Sequence, residues 1–409
     1  MHTLLRKSEI AVEASPPAVP LEKDIRHLVF DMCASHDLKA NGVYNVARRL
    51  AAEQLAAGEN AKIVFLREAA REIPKETVEV PIDFLTLAGR KLLGRRISMN
   101  GDILDAITAP GKQPLFFHVH AARQPMLLPV ILRLRKLGIP YAMTIHGRYS
   151  HLGDGSKSQK RRLSGLYLQH IERRVLEGAL FVQGVSKAEC ELIRRIAPRA
   201  RVEFVPNAAY SSRFEGTPPA PQRTAPSPNF PVFGFLGRYE IEHKGLDLLI
   251  DGFAAYRAAG GKGTLELVGT GPAREKVAAR ALEHGVAEFV SPNGPRFGAE
   301  KVRTLAAWDY FIMPSRFEGV PIGALEAGLA GLPLIVSAET GLREEIAKAQ
   351  AGVGIGALTP EAVAQALAQA ERQSAADWVR MSAAAYRMAL SIGDWTTISA
   401  DLVSLYRRG

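Results

Sequence analysis

Short apolar runs separated by longer amphipathic stretches recur along the chain. In the first half, His27–Asp31, Lys62–Leu66, Leu115–His120, Tyr141–Ile145 and Ala179–Gln183 read as buried strands, while 43–57 and 125–137 space their apolar residues as helices do. A polar, glycine-containing loop over 35–42 joins the first strand to the first helix. Strand, loop and helix in that order open an α/β unit, and their repetition predicts a parallel sheet covered on both faces. The pattern stops between Gly216 and Pro231, where Pro218, Pro219, Pro221, Pro226, Pro228 and Pro231 crowd together. Proline fixes φ and removes a donor, so this stretch reads as an extended linker. A second series follows, with strands at Val232–Leu236, Thr264–Val268, Glu288–Val290, Tyr310–Met313 and Leu334–Val336. The expected organisation is a loose arm over 1–24, a Rossmann-like domain over 25–212, a linker over 213–231 and a second Rossmann-like domain over 232–391. Two such domains leave a cleft between the carboxyl ends of their strands, where open α/β sheets bind ligands.

With 47% hydrophobic and 23% charged residues, the 409-residue chain can build ample cores. It lacks any run approaching the roughly 18 apolar residues of a membrane-spanning helix. Arg6 and Lys7 are followed by Glu9, Glu13, Pro16 and Pro17 in place of the apolar stretch of a secretory signal. Cys33 and Cys190 stand alone, which fits a reducing compartment, and a cytoplasmic protein is expected. The net charge of +10 is unevenly placed: residues 1–230 hold 34 Lys and Arg against 22 Asp and Glu, and the excess ends there. That asymmetry points to an anionic partner such as a membrane surface, a phosphorylated lipid or an acidic glycan, or simply to a solvated basic face. Nucleic acid is not expected, because no binding motif or aromatic-interleaved basic stripe accompanies the charge. Residues 84–96 mix apolar side chains with Arg90, Lys91, Arg95 and Arg96. They read as an amphipathic segment, either on the inner face of an anionic bilayer or packed on its own sheet. Arg148, Lys157, Lys160, Arg161 and Arg162 are further basic candidates for meeting an acidic or phosphorylated partner.

The densest local pattern runs from Pro314 to Gly328, PSRFEGVPIGALEAG, directly after a predicted strand. A helix starting near Pro321 would present free N–H groups and a positive dipole end, which suits a diphosphate. Glu318 in the loop and Glu326 in the helix could accept hydrogen bonds from vicinal hydroxyls, although the spacing alone also fits two solvated side chains. Arg238 offers a planar fork for phosphate and Lys244 a compact charge for a leaving diphosphate. Fixed cations of this kind stabilise charge that develops in a transition state. No Asp-x-Asp pair occurs anywhere in the chain, so a metal-chelating donor site has no support. His146 closes a predicted strand at the cleft, and His118 and His120 share one strand face, with packing or an acceptor-side role equally open. The spacing of these histidines is not that of a metal site.

The Glu318–Glu326 pair lies within P-S-x-x-E-G-x-P-x-x-x-L-E-A, which resembles the signature of glycosyltransferase family 4. Three further blocks occur in the family's order: Gly237-Arg238 with Lys244-Gly245, Val268-Gly269-Thr270-Gly271-Pro272, and Thr144 with His146-Gly147 ahead of Val185-Ser186 and Val205-Pro206-Asn207. The similarity covers roughly 27–409. It implies a GT-B fold, two Rossmann-like domains facing each other across a cleft, completed by a last helix over 392–409 that crosses back onto the first domain. It implies retaining, metal-independent transfer of a hexose-type sugar from a nucleotide-diphosphate sugar to a glycan or lipid-linked acceptor, in envelope or exopolysaccharide synthesis. No cofactor is expected. His146, Arg238, Lys244 and Glu318 are the implied catalytic residues. Asn41, Gly42, Gly237, Gly269, Gly271, Gly319, Val320, Pro321 and Glu326 join Arg238, Lys244 and Glu318 in the implied donor site. Where the family often has two glycines, this chain has Asn41-Gly42. Domain closure is expected through 213–231 and near Ile392. A nucleotide-sugar epimerase of the same fold and a non-catalytic nucleotide-sugar-binding protein are the competing readings. A dehydrogenase is disfavoured because the Gly269–Gly271 turn lacks the third glycine of a dinucleotide fingerprint.

Overall fold

The computed structural model describes residues 21–30, 38, 41–67, 80–89, 91–92, 95–96, 98–147, 149, 167–225 and 230–408. Most of the predicted arm, together with Cys33, Arg90, Arg148 and the basic run Lys157–Arg162, lies outside the described residues. Two all-parallel sheets organise the rest. The first joins β1 (Asp24–Phe30), β2 (Asn60–Arg67) and β3 (Ile82–Thr86) to later strands beyond a small two-stranded ribbon, β4 (Lys91–Leu92) and β5 (Arg95–Arg96). Those later strands are β6 (Leu115–His120), β7 (Tyr141–Thr144), β8 (Val182–Gly184) and β9 (Val202–Phe204), and the order is β3-β2-β1-β6-β7-β8-β9. The second sheet contains β10 (Val232–Leu236), β11 (Thr264–Val268), β12 (Val290–Asn293), β13 (Tyr310–Met313), β14 (Leu334–Ser337) and β15 (Gly352–Ile355), ordered β12-β11-β10-β13-β14-β15. Each sheet thus reverses its winding direction once, between β1 and β6 and between β10 and β13. Both have the Rossmann order, whose ligand crevice lies at that reversal.

Burial on both faces explains the apolar runs. Along β1, Ile25 and Val29 enter one core with Tyr44, Leu50, Phe65 and Phe116, while Leu28 and Phe30 enter the other with Phe117, Val119, Val130 and Ile131. The helix Trp395–Arg407 closes the first of these cores with Trp395, Ile398, Leu402 and Tyr406, so the chain's last helix packs on the first sheet. The second sheet has its own core around Phe233, Phe235, Trp308, Phe311 and Trp378. The proline-rich stretch has no regular element over 213–225, yet it is pinned. Arg223 donates to the carbonyls of Ala330 at 3.1 Å and Leu305 at 3.3 Å, and to that of Trp308.

Two local expectations are refined. Of the segment read as amphipathic over 84–96, Phe84–Thr86 belong to a strand, Ile82–Thr86, paired with β2, and Lys91, Arg95 and Arg96 fall in the β4–β5 ribbon. Phe84 faces Phe65 across that pairing at a ring-centroid distance of 5.6 Å, which packs this part of the segment on its own sheet. The strand expected at Glu288–Val290 starts at Val290, after a 3₁₀ turn over Ala287–Phe289. Pro292 hides it in the sequence, and is accepted because β12 is an edge strand.

Candidate active site

The carboxyl ends of the two sheets face one cleft of about 1960 Å³, lined from the first sheet by Phe30, Asn41, Gly42, His146 and Val185 and from the second by Arg238, Lys244, Gly269 and Glu318–Gly323. At its centre Lys244 donates to the Glu318 carboxylate through Nζ, on side chains that are 10% and 16% exposed. His243 Nε2 lies 3.4 Å from the same carboxylate, and its Nδ1 lies 3.2 Å from Glu240, which in turn pairs with Arg238 at 2.9 Å. The His243 ring stacks on Phe317 at 4.4 Å, which fixes its plane. Burial pushes the Glu318 carboxyl up, but Lys244 and then His243 outweigh it and hold the group at about 2. Burial likewise opposes a charged His243, and Glu240 and Glu318 outweigh it, so its pKa is raised. Glu318 therefore stays ionised across the physiological range, and His243 holds its proton more firmly than an ordinary histidine, between two carboxylates.

The helix Ile322–Leu329 begins directly after this loop, with Pro321 in the cap position. Its second-turn carboxylate, Glu326, is bound by Lys301 at 2.6 Å. Both predicted carboxylates are thus held by cations that read as part of the cleft wall, and Lys301, His243 and Glu240 are additions from the structure. Asn41 caps the helix Gly42–Ala56, its side chain accepting from Tyr44 N at 3.1 Å. Asn41 and Gly42 line the cleft, as expected, but a Cβ on Gly42 would meet nothing within 4 Å, so no close backbone approach within the chain demands glycine there. Gly237 and Gly269 line the cleft as well, whereas Gly271 does not. A Cβ on Gly269 would lie 1.8 Å from Gly237 O and one on Gly271 2.6 Å from Tyr239 O. These two glycines serve the close approach of the loops after β10 and β11.

His146 sits after β7 with φ +54°, a left-handed conformation that a non-glycine residue holds only when its surroundings enforce it. Glu189 supplies that enforcement. It is the third residue of the helix Lys187–Ile196, capped by Ser186, and its two oxygens accept from Gly147 N at 2.6 Å and Val185 N at 2.7 Å. Gly147 and Val185 are also where the two sheets' loops meet. A Cβ on Gly319 would lie 2.6 Å from Val185 Cγ2, and one on Gly147 would lie 3.2 Å from Gly319 N. Asn207 Nδ2 donates to Val320 O at 3.3 Å beside them.

Two family models match the chain: one described as "Glycosyl transferase 4-like domain" over residues 41–208 and one as "Glycosyl transferases group 1" over 230–373. The chain belongs to glycosyltransferase family 4. Among curated relatives, it is 28% identical over 228 residues to 2-deoxystreptamine glucosyltransferase of Streptomyces kanamyceticus, covering 54% of this chain and 58% of that protein. It is 28% identical over 250 residues to the GDP-mannose-dependent alpha-(1-6)-phosphatidylinositol monomannoside mannosyltransferase of Mycobacterium tuberculosis, covering 58% and 64%. The chain therefore spans less than two thirds of the length of these relatives. Among solved structures, Anabaena HepE in complex with UDP-glucose superposes with a TM-score of 0.67 at 14% identity, over 94% of this chain and 100% of that one, which shows the shared GT-B fold.

Within this family 4 chain the structure adds residues that local sequence reasoning passed over. Glu189 had a legible signal, since Ser186-x-x-Glu189 has the spacing of a capping box, although its oxygens accept from Val185 N and Gly147 N. Lys301 had none, because its partner Glu326 lies on another helix. His27, His118 and His120 are buried, and each offers a nitrogen within 4.8 Å of the others. All six of their ring nitrogens are nevertheless engaged in hydrogen bonds to one another or to Gln54, Thr144, Tyr406 and His146. Among the described residues no helix is long and apolar enough to cross a membrane.

Proposed function

We propose that this protein transfers a hexose-type sugar from a nucleotide-diphosphate sugar to a glycan or lipid-linked acceptor, with retention at the anomeric carbon and without a metal ion. The observation that carries the reading is the Arg238–Glu240–His243–Glu318–Lys244 row at the reversal point of the second sheet, beside the N-terminus of the helix Ile322–Leu329 and facing His146 across the cleft. Breaking the bond from the anomeric carbon to the phosphate oxygen leaves negative charge on the diphosphate. Arg238, Lys244 and the unbonded N–H groups after Pro321 are placed to meet that charge, the role a divalent cation would otherwise fill. Glu240, Glu318 and Glu326 are each bound to a cation, which makes each a weaker nucleophile and supports transfer without a covalent intermediate. Retention then proceeds on one face: the acceptor oxygen bonds to carbon as the phosphate oxygen leaves and takes the acceptor's proton. The relatives' use of GDP-mannose and the binding of UDP-glucose by HepE make GDP- and UDP-sugars the donors to try first.

A cytoplasmic place, peripheral at the inner face of the membrane in envelope or exopolysaccharide assembly, is part of the same proposal, supported by the basic first half of the chain. The test is a thermal-shift screen of UDP- and GDP-sugars on wild type and Glu326→Ala. One nucleotide sugar should stabilise the wild type, lose its effect in the variant and be indifferent to EDTA. Stabilisation abolished by EDTA would overturn metal independence, and none by any nucleotide sugar would overturn the donor reading. Failure to co-sediment with anionic liposomes at low salt would remove the membrane from the proposal.

A further inference from the structure

A second hollow, of about 660 Å³, opens in the first domain away from the cleft, and no residue lines both. It lies where two helices end. A single turn of π-helix, Leu168–Glu172, runs into the helix Arg173–Glu177, which leads to β8, and the helix Lys187–Ile196 leads to β9. The hollow therefore sits at the amino ends of β8 and β9, whereas the cleft faces the carboxyl ends of the strands. From the first helix His170, Arg173, Arg174 and Glu177 reach it, spaced i, i+3, i+4 and i+7 as residues on one helical face are. Arg195, near the end of the second helix, and Arg199, just beyond it, close the other side. Leu168 and Ile196, half-buried against the core, add an apolar patch to the lining.

Four guanidiniums thus meet one carboxylate, Glu177, among the described residues lining the hollow. Glu177 is already engaged, accepting from Arg173 Nε at 2.8 Å and from Arg199 N at 3.4 Å. Glu191, one turn before Arg195 on the same helix, does not line the hollow. Among the described residues Arg174 and Arg195 have no acidic partner. Arginine at a helix's carboxyl end ordinarily answers the helix dipole, which amounts to about half a negative charge per helix. Two such ends and Glu177 offset about two of the four positive charges and leave about two unbalanced. One end is, moreover, already met from outside the hollow, where Arg135 Nη2 donates to Arg174 O at 2.6 Å. A guanidinium stays charged at physiological pH, and its planar fork matches two phosphate oxygens at once.

We propose that this hollow is a second, anion-binding site that takes a phosphorylated ligand, a phosphate monoester or a diphosphate, held between Arg174 and Arg195 with Arg173 and Arg199 beside them. The patch of Leu168 and Ile196 accommodates the uncharged part of such a ligand. The site does not depend on the transferase reading, because it shares no residue with the cleft. Its phosphate is carried either by a soluble molecule or by a lipid headgroup, and the two are separated by experiment.

The test is equilibrium dialysis of radiolabelled inorganic diphosphate against the full-length protein at low salt, on wild type, Arg174→Gln/Arg195→Gln and Arg238→Gln. Arg238→Gln weakens the cleft, which could also take the probe, and should leave the second site unchanged. Arg174→Gln/Arg195→Gln should weaken that site about tenfold or more. Both side chains are exposed, so the variant keeps its fold, which a melting curve checks. In parallel, vesicles of phosphatidylcholine with phosphatidic acid are sedimented with the same proteins. Diphosphate binding without capture by the vesicles supports the site with a soluble ligand. Capture that diphosphate competes away, and that is lost in Arg174→Gln/Arg195→Gln, supports it with a lipid headgroup. Equal diphosphate binding by wild type and that variant overturns the proposal, as does wild type that takes up neither diphosphate nor vesicles, or binding that only Arg238→Gln removes.

Discussion

The Lys244–Glu318 pair allows the most direct quantitative test of the site. Both side chains are nearly dry, and Lys244 with His243 holds the Glu318 carboxyl at about 2 against an ordinary value of 4.5. At about 1.4 kcal/mol per pH unit, that difference is worth about 3 kcal/mol of stability. The folded value is the lower one, so this contribution is complete above pH 4.5 and disappears as pH falls through about 2. Glu318→Gln removes the anion and leaves the ammonium of Lys244 in the same confined place, and orphaning one member of such a pair costs about 3–5 kcal/mol. Urea unfolding followed by tryptophan fluorescence reads the right domain, because Trp308 and Trp378 both lie in the second core. At neutral pH Glu318→Gln should be about 3 kcal/mol less stable than wild type, and the gap should close as the pH is lowered below 4.5. Lys244→Met combined with Glu318→Gln should regain much of the loss, since no unpaired charge then remains. A Glu318→Gln variant within about 0.5 kcal/mol of wild type at neutral pH, or a gap that ignores pH, would refute the argument.

Three further substitutions probe the surroundings. Gly319→Ala puts a methyl 2.6 Å from Val185 Cγ2, where the two sheets' loops meet; donor turnover should drop sharply while urea stability stays near wild type, and a normal rate would show that this approach is dispensable. Glu189→Gln presents an N–H to one of the two backbone N–H groups that the carboxylate now accepts from; a loss of about 1–3 kcal/mol and faster amide exchange at Gly147 are expected, and unchanged exchange would count against the clamp. Gly234→Ala drives a methyl to 1.9 Å from the Trp308 ring on the central strand of the second sheet; overpacking should cost at least about 1–3 kcal/mol in urea unfolding, and a neutral result would mean that Trp308 can move aside.

Much of the fold was legible because it is written locally. Strands buried on both faces must be short and apolar, and β6, β10, β11 and β13 lie where their runs predict to the residue. The turns between them carry Asn41, Gly237-Arg238 and Glu318-Gly319 to the cleft because a strand's carboxyl end and the following helix's N-terminus are neighbours in sequence. What failed locally did so for local reasons. Pro292 disguises an edge strand, and the run after Ile82 mixes apolar and basic residues across a strand and a short ribbon.

The sequence by itself determined the two-sheet architecture, the composition of the proline-rich stretch between the sheets and the residue types brought to the cleft, since periodicity and turn chemistry act over a few positions. Only the tertiary structure decided what those residues bond to. Glu318 could be read from sequence as a ligand-facing carboxylate, but its state depends on Lys244, 74 positions away. His146 is met by His120, which in turn is bonded to His27, 93 positions earlier. Buried polar groups must find partners or bear the cost of desolvation, and which partners they find is settled by packing across the fold, which no local pattern encodes.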